Sequence, residues 1–297
     1  MRRILSCLLI GFMSLHCGKN QNIITPSGGP TPPSNVMAYS SGPQSVTLSW
    51  SAPPDIADSS FWGYIIRWGG TADSLVKGST MFVATSLPAG LTAFSLSSRL
   101  NDGEVSGSPT VISWAPADRF SDSTFVLYEY VQGGALPVGP TAIYLSSSGG
   151  VPRTFPIDSS LQSSADFYLF GGTGGLPQAL QLYSADLYDE ANHATRFSTV
   201  TDQSSTLDYP RSSFPASSTF SNQSVTLNVN TIYYVQLAEP SGTYYARVLI
   251  SGMLGTSPGR SITMRLSVQR ASGVAIAGIP PSAPLSPLGL GMMLASR

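Results

Sequence analysis

The chain has 297 residues, a formal net charge of −1 and only 10% charged residues, where soluble domains average about 25%. Its polarity comes from hydroxyls instead, 48 Ser and 22 Thr beside 29 Gly and 23 Pro. Two Lys and scattered Arg cannot neutralise a run of phosphates, which excludes nucleic acid as a partner. The 42% apolar residues are enough for a packed core.

Met1-Arg2-Arg3 is positive, Ile4 to Leu15 is apolar, and His16-Cys17-Gly18-Lys19-Asn20 turns polar. This order predicts a signal peptide over 1–16. The apolar run falls short of the roughly 20 residues that span a bilayer. Cys17, placed where the apolar run ends, resembles the cysteine of bacterial lipoproteins, which becomes the lipidated first residue. Ser14 and His16 stand where that family usually has Leu and a small residue. The resemblance implies a membrane partner through a lipid anchor on Cys17, at the outer membrane or cell surface, with secretion as the alternative. Residues 17–32, rich in Gly and Pro, read as a flexible tether. No cysteine follows Cys17, so thiol nucleophiles and thiolate metal sites are excluded from the rest of the chain.

From residue 33 the pattern becomes that of strands. Val46, Leu48 and Trp50 alternate with Ser and Thr until Pro53-Pro54. Tyr64, Ile66 and Trp68 alternate in the next run, and further strands are expected near Met81–Thr85, over Thr92–Leu100 and over Thr110–Trp114. Asn101-Asp102-Gly103 is a hairpin signal between the last two. The Pro32-Pro33-Ser34-Asn35-Val36 segment, Ser45 to Trp50 with Ala52-Pro53-Pro54, the Gly63-Tyr64-Ile65-Ile66-Arg67-Trp68 strand and the Asn101-Asp102-Gly103-Glu104 turn together resemble a fibronectin type III domain. The resemblance covers 33–116 and implies an immunoglobulin-like sandwich. The tyrosine that the family places after its E–F turn is replaced here by Ala93-Phe94.

Residues 117–271 are also β-like. Short apolar runs at Phe125–Tyr128, Ala142–Leu145 and Ala165–Phe170 lie between Gly and Ser clusters, while Leu180–His193 reads as either strand or short helix. Thr231–Ala238 and Thr243–Ser251 flank Glu239-Pro240-Ser241-Gly242, and Ile262, Met264, Leu266 and Val268 share one face of a following strand. This predicts an antiparallel meander with one wet face. The fold class expected is therefore all-β: two tandem antiparallel β-sandwich domains, the second sandwich or jelly-roll-like, before a Pro-rich tail at 272–297.

No catalytic residue, metal ligand or cofactor site emerges. His193 is the one histidine after Cys17, it lies in a polar stretch, and no Gly-x-Ser-x-Gly elbow exists. Asp186, Asp189, Glu190 and His193 are the densest ligand-type cluster but lack the order of a calcium loop, and read as a solvated loop. Gly171-Gly172-Thr173-Gly174-Gly175 lacks the Lys-Ser/Thr of a phosphate loop and reads as a turn. Aromatics are the remaining candidates. Trp62 lies just before the Gly63–Trp68 run, and the pairs Tyr233/Tyr234 and Tyr244/Tyr245 direct one ring to each sheet face. The outward rings would meet a sugar, a protein or the neighbouring domain. The expected role is non-enzymatic binding, adhesion or assembly toward a protein or polysaccharide ligand. A carbohydrate-binding accessory module and a glycosidase using paired carboxylates are the alternatives.

Overall fold

The computed structural model describes residues 29–145, 149–158, 162–189, 193–273 and 277–278. The signal peptide, Cys17, most of the tether and most of the tail lie outside the described residues. Within them the structure is all-β, and no helix is long and apolar enough to cross a membrane.

Seven strands occupy the first unit: β1 (Ser34–Gly42), β2 (Ser45–Ser51), β3 (Phe61–Trp68), β4 (Thr71–Val76), β5 (Met81–Ala84), β6 (Thr92–Leu100) and β7 (Thr110–Trp114). They form one sheet of order β1-β2-β5 and another of order β7-β6-β3-β4. The alternation read from the sequence sets the core. Val46, Leu48, Trp50, Tyr64, Ile66, Phe94 and Leu96 are all buried, with Trp50 edge-on to Tyr64 at 5.3 Å between ring centroids. Trp62 falls out of phase because β3 is irregular between Phe61 and Gly63 in its pairing with β6. A Cβ at Gly63 would overlap the Leu75 carbonyl oxygen, so only glycine permits β4 to approach here.

The second unit contains β8 (Asp118–Tyr128), β9 (Tyr130–Gln132), β10 (Ala142–Tyr144), β11 (Arg153–Phe155), β12 (Phe167–Thr173), β13 (Leu176–Ser184), β14 (Ala194–Gln203), β15 (Phe220–Asn222), β16 (Ser224–Thr226), β17 (Thr231–Glu239), β18 (Gly242–Leu254) and β19 (Ser261–Val268). One sheet has the order β11-β10-β12-β13-β16, with β9 parallel to β12. The other has the order β15-β14-β17-β18-β19-β8. Phe167, Leu169 and Leu182 of the first sheet meet Tyr233, Val235, Ala246, Val248, Met264 and Leu266 of the second in one apolar layer. The ambiguous Leu180–His193 stretch completes β13 and then makes a single 3-10 turn at Ala185–Leu187. A two-residue strand, β20 (Ala277–Gly278), pairs with β7.

The face expected to be wet is partly closed. Ser267 and Gln269 are buried, and the Gln269 amide donates to the Pro116 carbonyl at 2.9 Å. The outer side of the same sheet is covered as well. Ile232, Tyr234, Tyr245 and Leu249 join Leu207, Phe214 and Phe220 in a cluster continuous with the core of the first unit. Arg211, between β14 and β15, exchanges two backbone hydrogen bonds with Ala38 of β1, at 2.8 and 3.0 Å. Its guanidinium reaches both Asp202 oxygens at 2.9 Å.

Candidate functional site

The aromatics expected to face outward do not. Tyr233, Tyr234, Tyr244 and Tyr245 are 3, 1, 7 and 8% exposed. Tyr233 and Tyr244 point between the two sheets of the second unit. Tyr234 and Tyr245 point the other way, where Phe214 packs on them with centroids at 5.1 and 5.8 Å. The alternation was correct, but the second face is shielded by the 204–219 connection, whose irregular sequence carries no pattern. The Tyr234 hydroxyl donates to Asp202, and the Arg247 guanidinium, itself buried, lies 5.9 Å from the Tyr234 ring. None of these four rings is available to a ligand. Trp62 is half-buried, with the Arg99 guanidinium 4.9 Å over its ring.

A different set of rings forms a recess. Along β12, Phe167 and Leu169 face the inter-sheet core, so Tyr168 and Phe170 emerge on the opposite side. Tyr183 is paired with Tyr168 across β13. Tyr130 comes from β9, and Tyr188 follows the Ala185–Leu187 turn. Tyr130, Tyr168 and Tyr188 meet edge-on with centroids 5.6–6.2 Å apart. Phe170 stacks on Tyr183 at 4.3 Å. Tyr130, Gln132, Tyr168, Phe170, Tyr188 and Asp189 line a cavity of about 360 Å³. Burial, followed by the neighbouring tyrosines, pushes the Tyr168 phenol far above its ordinary value. Burial and then Tyr188 raise Tyr130 as well. The rings therefore stay protonated and offer hydroxyls that both donate and accept. Sequence reasoning missed this set because its members come from four separated segments, and only the alternation through Tyr168 and Phe170 signalled an outward face.

The proposed local cluster around His193 disperses. Asp186 pairs with Arg196 at 3.1 Å, Asp189 lines the recess, and Glu190 lies outside the described residues. His193 is no solvated loop residue: its side chain is 17% exposed. Its Nδ1 lies 3.0 Å from Oδ1 of Asp166, a carboxylate with no solvent exposure. The second Asp166 oxygen accepts the Leu145 N–H at 2.6 Å, and the Thr195 hydroxyl donates to the Asp166 carbonyl. A carboxylate oxygen of Glu239 completes the group, all three ligand atoms lying within 4.8 Å of one another. Burial raises the Asp166 carboxyl, and the hydrogen bond that the His193 N–H donates to Asp166 raises the imidazole.

No family model matches the chain, and no curated protein matches it. Among solved structures it is similar to the fibronectin type III domain of the human collagen alpha-1(XX) chain, at 18% identity over 32% of this chain and 92% of that one, with a TM-score of 0.27. It is also similar to the two-domain fibronectin type III segment of chicken tenascin, at 12% identity over 70% of this chain and 90% of that one, with a TM-score of 0.25. Within the chain itself, β1-β2-β5 facing β7-β6-β3-β4 is the three-plus-four arrangement expected of a fibronectin type III-like sandwich.

Proposed function

We infer that this is a non-enzymatic binding protein of a bacterial envelope whose recognition site is the tyrosine recess, and that its ligand is a polysaccharide segment. The observation that carries the reading is the recess itself. Tyr168 and Phe170 form its buried floor, and the half-buried Tyr130 and Tyr188 are the rings left to meet the C–H surface of a sugar. The accessible lining of the recess is mostly polar, and the phenol hydroxyls, the Gln132 amide and the Asp189 carboxylate would answer the sugar hydroxyls. Support for the location lies in the sequence, where Cys17 follows a short apolar run. The resemblance of that segment to a lipoprotein signal supplies the anchor, and firm attachment takes more than one acyl chain.

A glycosidase reading gains little. Asp166 and Glu239 are close enough to be paired, but Asp166 is sealed from solvent and engaged with His193 and Leu145. A catalytic carboxylate must touch the glycosidic bond.

Affinity electrophoresis through gels containing peptidoglycan fragments, chitin, mannan or dextran tests the site. Retention in at least one matrix, abolished by Tyr188→Ala and unchanged by Trp62→Ala, is expected. Retention in none, or retention indifferent to Tyr188→Ala, overturns the polysaccharide reading. Intact-mass analysis of the mature N-terminus tests the anchor. A diacylglyceryl mass that Cys17→Ala removes is expected, and an unmodified product refutes it.

A further inference from the structure

We propose that Asp166, His193 and Glu239 form a binding site for one divalent first-row metal ion of the zinc class. Three elements converge on it. Asp166 immediately precedes β12, His193 immediately precedes β14, and Glu239 ends β17. Ala194 pairs with Ala238 at the end of the β14–β17 ladder, and His193 and Glu239 adjoin that pair. The Thr195 hydroxyl then ties the Asp166 backbone to β14 at 2.6 Å. The ligand atoms are thus positioned by backbone hydrogen bonding from both sheets.

The spacing fits. With metal–ligand bonds of about 2.0–2.2 Å, neighbouring donor atoms stand roughly 3–3.5 Å apart. The His193 Nδ1 and Asp166 Oδ1 atoms are 3.0 Å apart, and the Glu239 oxygen lies within 4.8 Å of both. The Leu145 N–H on the other Asp166 oxygen acts as an outer partner that keeps Oδ1 aimed at the imidazole. Charge argues the same way. Asp166 has no access to water, and a divalent cation beside it would offset the cost of keeping that carboxylate charged. One nitrogen and two oxygens suit zinc or its neighbours. Calcium, which takes six to eight oxygens, is disfavoured. On binding, Nδ1 offers its lone pair to the metal, and any proton it shared with Asp166 leaves to solvent or moves to Nε2. With three protein ligands, the fourth position falls to water.

Isothermal titration of Zn²⁺ into the chelator-treated full-length chain, purified without a histidine tag, tests this directly. One equivalent should bind with a dissociation constant of micromolar order or tighter. His193→Ala and Glu239→Gln should each weaken it at least about tenfold, while Asp186→Asn, from the sequence-local acidic cluster, should leave it unchanged. Ca²⁺ should give no saturable heat. Circular dichroism of each apo variant guards against misfolding, and the isosteric Glu239→Gln carries the test should His193→Ala fail to fold. Absence of saturable Zn²⁺ binding, or equal affinity in the wild type and both ligand variants, overturns the proposal.

Discussion

Glu129, buried between β8 and β9, offers a quantitative test of how the recess is supported. Its Oε1 accepts the backbone N–H groups of Gly259 and Arg260 at 2.7 and 3.0 Å. Its Oε2 accepts Arg260 Nε at 2.8 Å and Nη2 at 2.7 Å. The same guanidinium donates to the Gly171 carbonyl of β12 at 2.9 Å. One carboxylate thus links both sheets of the second unit beside Tyr130. Glu129→Ala strands two backbone donors and a cation. Breaking a buried pair costs roughly 3–5 kcal/mol, and because the Arg260 side chain keeps 19% exposure the lower end, about 3 kcal/mol, is expected. At roughly 2–4 °C per kcal/mol, differential scanning calorimetry at neutral pH should show Tm falling by about 6–12 °C. The pH dependence follows from the same contacts. Burial pushes the carboxyl up, but the Arg260 side chain and N–H, the Ser257 hydroxyl and the Gly259 N–H outweigh it and hold the group below its ordinary value. A depressed folded pKa contributes stability that is present above the unfolded value of about 4.3 and is lost as pH falls through the folded value. Wild-type Tm should therefore drop more steeply on acidification below about pH 5 than that of Glu129→Gln. A Tm loss under about 2 °C for Glu129→Ala, or identical acid slopes for wild type and Glu129→Gln, would refute the reasoning.

Three further perturbations probe the scaffold. Gly63→Ala drives a Cβ into the Leu75 carbonyl, and urea denaturation should report a loss of roughly 1–3 kcal/mol. Trp114→Phe removes the hydrogen bond from Nε1 to the Ser40 hydroxyl at 3.1 Å within a fully buried site; a loss of roughly 1–3 kcal/mol in the same assay is expected. Arg211→Ala leaves the mostly buried Asp202 without its cation, so roughly 2–3 kcal/mol is lost. Hydrogen exchange at the Ala38 and Arg211 amides should accelerate with it.

Strands with apolar residues at every second position were legible: Val46, Leu48 and Trp50 in β2, and Ile262, Met264, Leu266 and Val268 in β19, all turn into the core. The β17–β18 hairpin was equally plain, since Pro240-Ser241 is turn chemistry and Glu239 pairs with Gly242. β4 escaped because Thr71–Val76 is an exposed edge strand with no apolar face to display. β9 escaped because three residues paired in parallel leave no local signature. The tyrosine pairs were assigned to the right faces and the wrong environment: what covers Tyr234 and Tyr245 is Phe214 and Phe220, which reach them from the irregular 204–219 connection and from β15. His193 was misread for the same reason, its partners Asp166 and Glu239 being neighbours only through strand pairing. Such contacts are set by register, which single-sequence periodicity does not encode.

Arg211 clasps the edge of β1 opposite β2, so that strand is bonded on both flanks. A tug along β1 from its N-terminal end would have to slide many bonds at once instead of opening them one by one. A load carried into β1 would therefore meet its strongest resistance there.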